Sequence, residues 1–255
     1  MITDYMVSFS NGTGGNFLIS MIERTVLGDK ANYEAIKLGQ YNDAHFSGKS
    51  RNFKQNQIIP SKMGDMKEGF LSCVKMDPLA PAFIPGHLYW PDLQLSTWPN
   101  SKLAVILHTE ADALDISISG FFKTEMTTSQ WHTSDGSRWL TSVPPGDLGF
   151  NQNNIIFDSI RRKHPHELTR KELSIAVRVR VAMVLSAGFH LIEPIDDPRI
   201  AYIQWRDLIT KPDVVLEFLR NLTGQEPNDN VLRDIGLYQA KQAEFLQGVR
   251  SDLGL

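Results

Sequence analysis

Tyr5-Met6-Val7-Ser8-Phe9-Ser10, Asn11-Gly12-Thr13-Gly14-Gly15-Asn16 and Phe17-Leu18-Ile19-Ser20-Met21-Ile22-Glu23-Arg24 follow one another without a break. The first block reads as a short apolar strand, the second as a glycine-rich turn and the third as an amphipathic helix. Glycines let successive backbone N–H groups converge on one point, and a new helix adds unpaired amides and the positive end of its dipole. That geometry suits an anion, most often a phosphate. An ordinary strand–helix turn can also be built from flexible residues. Gly12, Gly14 and Gly15, flanked by Asn11, Thr13 and Asn16, favour the phosphate reading.

The loop is not the usual nucleotide triphosphate loop. That consensus places Gly-Lys-Ser/Thr at the helix start, with lysine on the phosphates and the hydroxyl on magnesium. Here the same place reads Gly14-Gly15-Asn16, and no lysine occurs before Lys30. A kinase or NTPase is therefore disfavoured, and an anion in this loop would be held by amides and small polar side chains.

Working outward, Leu103-Ala104-Val105-Ile106-Leu107 is the clearest buried strand, and its unbroken apolar character suits a parallel sheet covered on both faces. Ala82-Phe83-Ile84 predicts a strand that opens into a loop at Pro85-Gly86-His87, and residues 200–205 predict a last strand. Helices are expected over 66–76, 111–123, 154–163, 167–188, 212–222 and 231–249, with polar loops and room for a short helix across 28–65. Strands alternating with helices argue for an α/β fold with a central parallel sheet in three layers, α/β/α. The chain reads as a single domain over 1–255, with a C-terminal helical tail at 228–255. Residues 124–154, rich in Ser, Thr, Gly, Pro and Asn around Trp131 and Trp139, lack a periodicity of their own and read as a mobile or functional segment, a candidate flap.

Composition sets the outer limits. The net charge of −3 argues against bulk capture of nucleic acid. A single cysteine, Cys73, excludes an internal disulfide framework and fits a reducing compartment, so a cytoplasmic location is expected. The most apolar stretch, 175–189, is cut by Arg178 and Arg180, and the N-terminus lacks the pattern of a signal peptide, so no membrane association is expected. The seven histidines are scattered, and Pro165 restrains His164 and His166 as a chelate, so no metal is expected. Arg161, Arg162 and Lys163, like Arg178 and Arg180, read as solvated helix faces.

Several segments together resemble the sulfotransferases that use 3′-phosphoadenosine 5′-phosphosulfate. That family leads its first strand into a loop of the type Lys-Ser-Gly-Thr-Thr-Trp, and here Gly12-Thr13-Gly14-Gly15-Asn16-Phe17 stands in its place. The central glycine and the aromatic are kept, while Gly12 replaces the lysine. A second segment, Gly86-His87-Leu88, is followed by a spacer through Trp98-Pro99-Asn100, the strand 103–107, His108-Thr109-Glu110-Ala111-Asp112 and Ser117. It is similar to the family's Thr-His-Leu-Pro stretch, strand and Arg-x-x-x-Asp…Ser helix opening. A third, Tyr202-Ile203-Gln204-Trp205-Arg206-Asp207-Leu208 with Lys211-Pro212-Asp213, resembles its late strand and helix.

The resemblance implies a P-loop NTPase-like sulfotransferase fold and transfer of a sulfuryl group to a hydroxyl or amine of a small-molecule or glycan acceptor. It implies that Gly12, Thr13, Gly14, Gly15, Asn16 and Phe17 hold the 5′-phosphosulfate and that His87 is the catalytic base. Ser117 would hold the 3′-phosphate, with His108 or Thr109 where the family has arginine. Two other classes compete: a phosphotransferase using a nucleoside triphosphate, and a nucleotide-binding module that has lost its activity. The acceptor and the oligomeric state are not written in these motifs.

Overall fold

The computed structural model describes residues 2–10, 12–28, 51–55, 73–87, 89–126 and 169–253. Its centre is a parallel sheet of β1 (Asp4–Ser8), β4 (Phe83–Gly86), β5 (Ser101–Leu107) and β6 (Ile200–Gln204), in the order β4-β1-β5-β6. β1 pairs with β4 on one side, matching Val7 to Pro85, and with β5 on the other, matching Ser8 to Val105. β6 then pairs with β5, Val105 standing opposite Tyr202. All four strands thus end at one edge, and the row Gly86, Ser8, Val105, Tyr202 marks it.

Side-chain alternation divides the core. Tyr5, Val7, Phe83, Ala104, Ile106 and Ile203 face one layer, where α1 (Gly15–Leu27), α3 (Ala113–Met126), α4 (Arg170–Ser186), α5 (Trp205–Thr210), α6 (Pro212–Thr223) and α7 (Asp229–Leu253) pack. Met6, Ile84, Leu103, Val105 and Leu107 face the other layer, which holds α2 (Pro91–Thr97) with Leu95, and also Trp98, Phe53, Cys73 and Phe189. β5 lies between two partner strands and is covered on both faces, which is why its sequence carries no polar alternation.

The helix that follows the glycine turn is enclosed on nearly every side. Its polar residues Glu23 and Arg24 are buried and paired: Arg24 with Asp234 of α7, and Glu23 with Arg51 at 3.6 Å. Arg51 also donates from Nη2 to Ser20 Oγ at 2.8 Å. Just after Arg51, β2 (Phe53–Gln55) pairs antiparallel with β3 (Cys73–Lys75), and the Arg51 carbonyl accepts the Phe83 N–H at 3.0 Å. α6 shows a sharp start and stop. Pro212 opens it, and Gly224 closes it in the left-handed conformation at φ 72°, donating to Arg220 O at 2.8 Å.

Most expected elements are present, with four differences. The helix expected over 66–76 is overturned at its end, where Cys73–Lys75 is strand β3; pairing with β2 and burial of Cys73 outweigh the helical spacing. β2 itself lies where loops were expected. The spacer before β5 contains α2, opened by Pro91 with Asp92 in its first turn. Trp205 begins α5 rather than ending β6, because its ring is fully buried in the helical layer. The C-terminal helix is part of the core through Val231, Ile235, Tyr238 and Leu246. The helix expected at 154–163 lies outside the described residues, as does the proposed flap except for 124–126, which end α3. No helix among the described residues is long and apolar enough to cross a membrane.

Candidate functional site

At the carboxyl edge of the sheet, β1 continues through Phe9 and Ser10 into the glycine loop. Gly12 and Gly14 both adopt left-handed conformations, at φ 93° and 81°, which side chains rarely tolerate. Thr13 folds the turn on itself, donating from its N–H at 3.2 Å and from Oγ1 at 2.7 Å to the Ser10 carbonyl. Gly14 is the N-cap of α1, no side chain caps the helix, and its first turn carries no acidic residue. The amides of that turn have no carbonyl earlier in the helix to bond. Two acceptors at the same place, Ser10 Oγ and Asn16 Oδ1, are buried without a hydrogen-bond partner.

The glycines also answer to packing. A side chain at Gly15 would enter the ring of Phe9, and one at Gly14 would meet the hydroxyl of Tyr238. Tyr238 stacks on Phe17, with ring centroids 3.8 Å apart and planes 5° from parallel. One face of Phe17 is therefore taken by the C-terminal helix. Asp234, one turn earlier on α7, holds Arg24 of the loop's own helix. Sequence reasoning did not find Tyr238, since nothing local to α7 marks the residue it meets.

His87 follows β4 at the same edge and is half-buried. Its Nδ1 lies 3.1 Å from the Phe9 carbonyl. A carbonyl only accepts, so Nδ1 carries the proton and the neutral ring has its lone pair on Nε2. The His87 ring meets the Phe9 ring edge-on at 4.4 Å, and the same ring fills the space a side chain at Gly15 would need. Phe9 thus stands as a spacer between His87 and the start of α1. Behind them, Gln94 of α2 donates from Nε2 to Ser8 Oγ at 3.0 Å and accepts the Trp90 N–H at 3.1 Å.

The residues after β5 form a second group. His108 is buried, and its Nδ1 donates to the Thr109 carbonyl at 3.1 Å. Burial pushes its imidazolium below the ordinary histidine value, with His190 adding to the effect against the Thr109 carbonyl and Asp112. Thr109 and Asp112 form a capping box in a 3₁₀ turn (Glu110–Asp112) that runs into α3. Arg206 grips Asp112 at 2.6 Å and Asp115 at 3.3 Å, and Arg250 also reaches Asp115, at 2.6 Å. Burial alone would raise the pKa of Asp112, but the Thr109 N–H, the Thr109 hydroxyl and Arg206 together hold it below the usual carboxylate value.

Ser117 Oγ donates to the Ala113 carbonyl within its own helix and is buried, while Ser119 Oγ accepts from Gln242 at 2.7 Å. The structure therefore joins His87 to the glycine loop through Phe9 and sets His108 and Thr109 at the neighbouring junction, while Ser117 lies buried within α3 with its hydroxyl on the Ala113 carbonyl. Trp131, His132 and Trp139 lie outside the described residues. Comparison of the chain with family models, curated proteins and solved structures finds no match.

Proposed function

We propose that the chain binds a nucleotide through an anionic group seated on residues 12–17, and that this nucleotide is 3′-phosphoadenosine 5′-phosphosulfate serving as sulfuryl donor. The fold in this reading is the P-loop-like sulfotransferase fold. The observation that carries it is the β1–loop–α1 junction: two left-handed glycines, an uncapped helix start and an unpartnered Ser10 hydroxyl at the carboxyl edge of a parallel sheet. The amides would neutralise charge on the phosphosulfate as the sulfur–oxygen bond to phosphate breaks. His87, with Nδ1 directed at the Phe9 carbonyl, would take the acceptor's proton on Nε2. The acceptor oxygen or nitrogen then bonds to sulfur, and adenosine 3′,5′-bisphosphate leaves with the bridging oxygen.

A second reading is a nucleotide-binding module without turnover. It is favoured by Gly12 in place of lysine and by Arg24, the first cation after the loop, being committed to Asp234. Calorimetric titration with adenosine 3′,5′-bisphosphate, against ATP with magnesium, tests the shared premise. Micromolar binding of the bisphosphate and not of ATP is expected, and binding of neither ends both readings. His87→Ala then separates them. An enzyme loses its hydrolysis or transfer of the labelled sulfuryl group while keeping bisphosphate affinity, whereas a binding module has no turnover in the parent protein.

A further inference from the structure

His190, in the segment between α4 and β6, was singled out by no motif, yet its ring stacks on His108 with centroids 5.8 Å apart and planes 26° from parallel. One nitrogen of His108 is hydrogen-bonded to a carbonyl, and one of His190 faces a carboxylate beyond hydrogen-bond reach. His108 Nδ1 meets the Thr109 carbonyl at 3.1 Å, and His190 Nε2 stands 3.9 Å from Glu110 Oε1. The opposite nitrogens, His108 Nε2 and His190 Nδ1, are both buried without a hydrogen-bond partner. Buried polar atoms in native proteins nearly always have partners, so a matched pair without one asks for something to fill it.

The chemistry of that arrangement is specific. A carbonyl or carboxylate on one imidazole nitrogen fixes the tautomer and leaves a lone pair on the other, the arrangement that metal-binding histidines use. We propose that His108 and His190 form a binding site for a divalent transition ion of the zinc type, with the Thr109 carbonyl orienting the His108 ring. Imidazole nitrogen suits zinc, copper or nickel, whereas magnesium and calcium take oxygen ligands. Among the described residues no third His, Cys, Asp or Glu is gathered with the pair, so water or a small ligand completes the coordination. The site is separate from the loop at residues 12–17 and does not depend on sulfuryl transfer.

The test is zinc uptake by the full chain without a histidine tag, read by competition with a chromophoric chelator and by the visible spectrum of the cobalt-substituted protein. One ion per chain is expected. His108→Gln and His190→Gln each abolish uptake. His87→Gln, on another strand, leaves it unchanged. In the unaltered protein, zinc should shift the long-range imidazole nitrogen signals of two histidines, one at Nε2 and one at Nδ1, a readout independent of whether the variants fold. Failure of the parent chain to take up zinc, uptake that survives His190→Gln, or a zinc response at other histidines would overturn the assignment. A buried water shared by the two lone pairs would give the first of these results.

Discussion

Two neighbouring strands run into helices at the carboxyl edge of this sheet, and their junctions meet the same need in opposite ways. Each helix begins with amides that have no partner within it. After β5 the chain satisfies them itself: Asp112 accepts the Thr109 N–H at 3.0 Å and its hydroxyl at 2.8 Å, and Arg206 balances the charge. A carboxylate already stands where an external anion would dock. After β1 there is no capping side chain and no acid in the first turn, and the loop is held instead by contacts from outside it, Phe9 below Gly15 and Tyr238 beside Gly14. A self-capped junction holds itself together; an uncapped one depends on its neighbours to keep its shape.

If that contrast is correct, the β1 junction should be the more sensitive to distant residues. Asp234→Ala strands the buried charge of Arg24 and should cost about 3–5 kcal/mol of stability, measured by urea unfolding. The double replacement Arg24→Met with Asp234→Leu should recover most of that loss, because it removes both charges. A single loss below 1 kcal/mol would mean that α7 does not brace the loop's helix.

Gly15→Ala puts a methyl group into the Phe9 ring and should cost about 1–3 kcal/mol through overpacking. It should also weaken bisphosphate binding, since the loop must shift to make room. Unchanged stability and unchanged affinity would show that the close approach of Phe9 has no consequence. The β5 junction should respond locally and with pH. Asp112→Asn weakens the cap and its pairing with Arg206, for a loss of about 1 kcal/mol. Because Asp112 has its pKa depressed in the folded protein, that stabilisation is fully present above the unfolded-state value and disappears as pH falls through the folded one. The stability curves of the two proteins should therefore be offset at neutral pH and converge in acid. Curves that stay parallel to low pH would remove the carboxylate from the explanation.

What could be read from the sequence was what repeats locally. The β1 turn is marked by its glycines, β5 by its unbroken apolar run, and α6 by Pro212 and Gly224 at its ends. β2 and β3 escaped because three-residue strands are too short to display alternation, and β3 takes its identity from a partner elsewhere in the chain. α2 could have been found, since Pro91 followed by Asp92 is a helix-start signal. Of the site, His87 was visible as a histidine beyond a Pro-Gly turn, but the proton on its Nδ1 is set by the Phe9 carbonyl. His190 and Tyr238 gave no local signal at all. Their partners, His108 and Phe17, are brought to them by the packing of α7 and by the path of the chain into β6.

The position of Pro85 on β4 has an effect beyond this site. Among the described residues β4 is the outermost strand on its side of the sheet, and its outward-facing backbone donors belong to alternate residues. Phe83 has already given its N–H to the Arg51 carbonyl, and Pro85, two residues on, has none to give. This flank lacks two successive outward donors, which disfavours pairing with an incoming strand. The chain guards itself against edge-to-edge aggregation beside the histidine its proposed chemistry depends on.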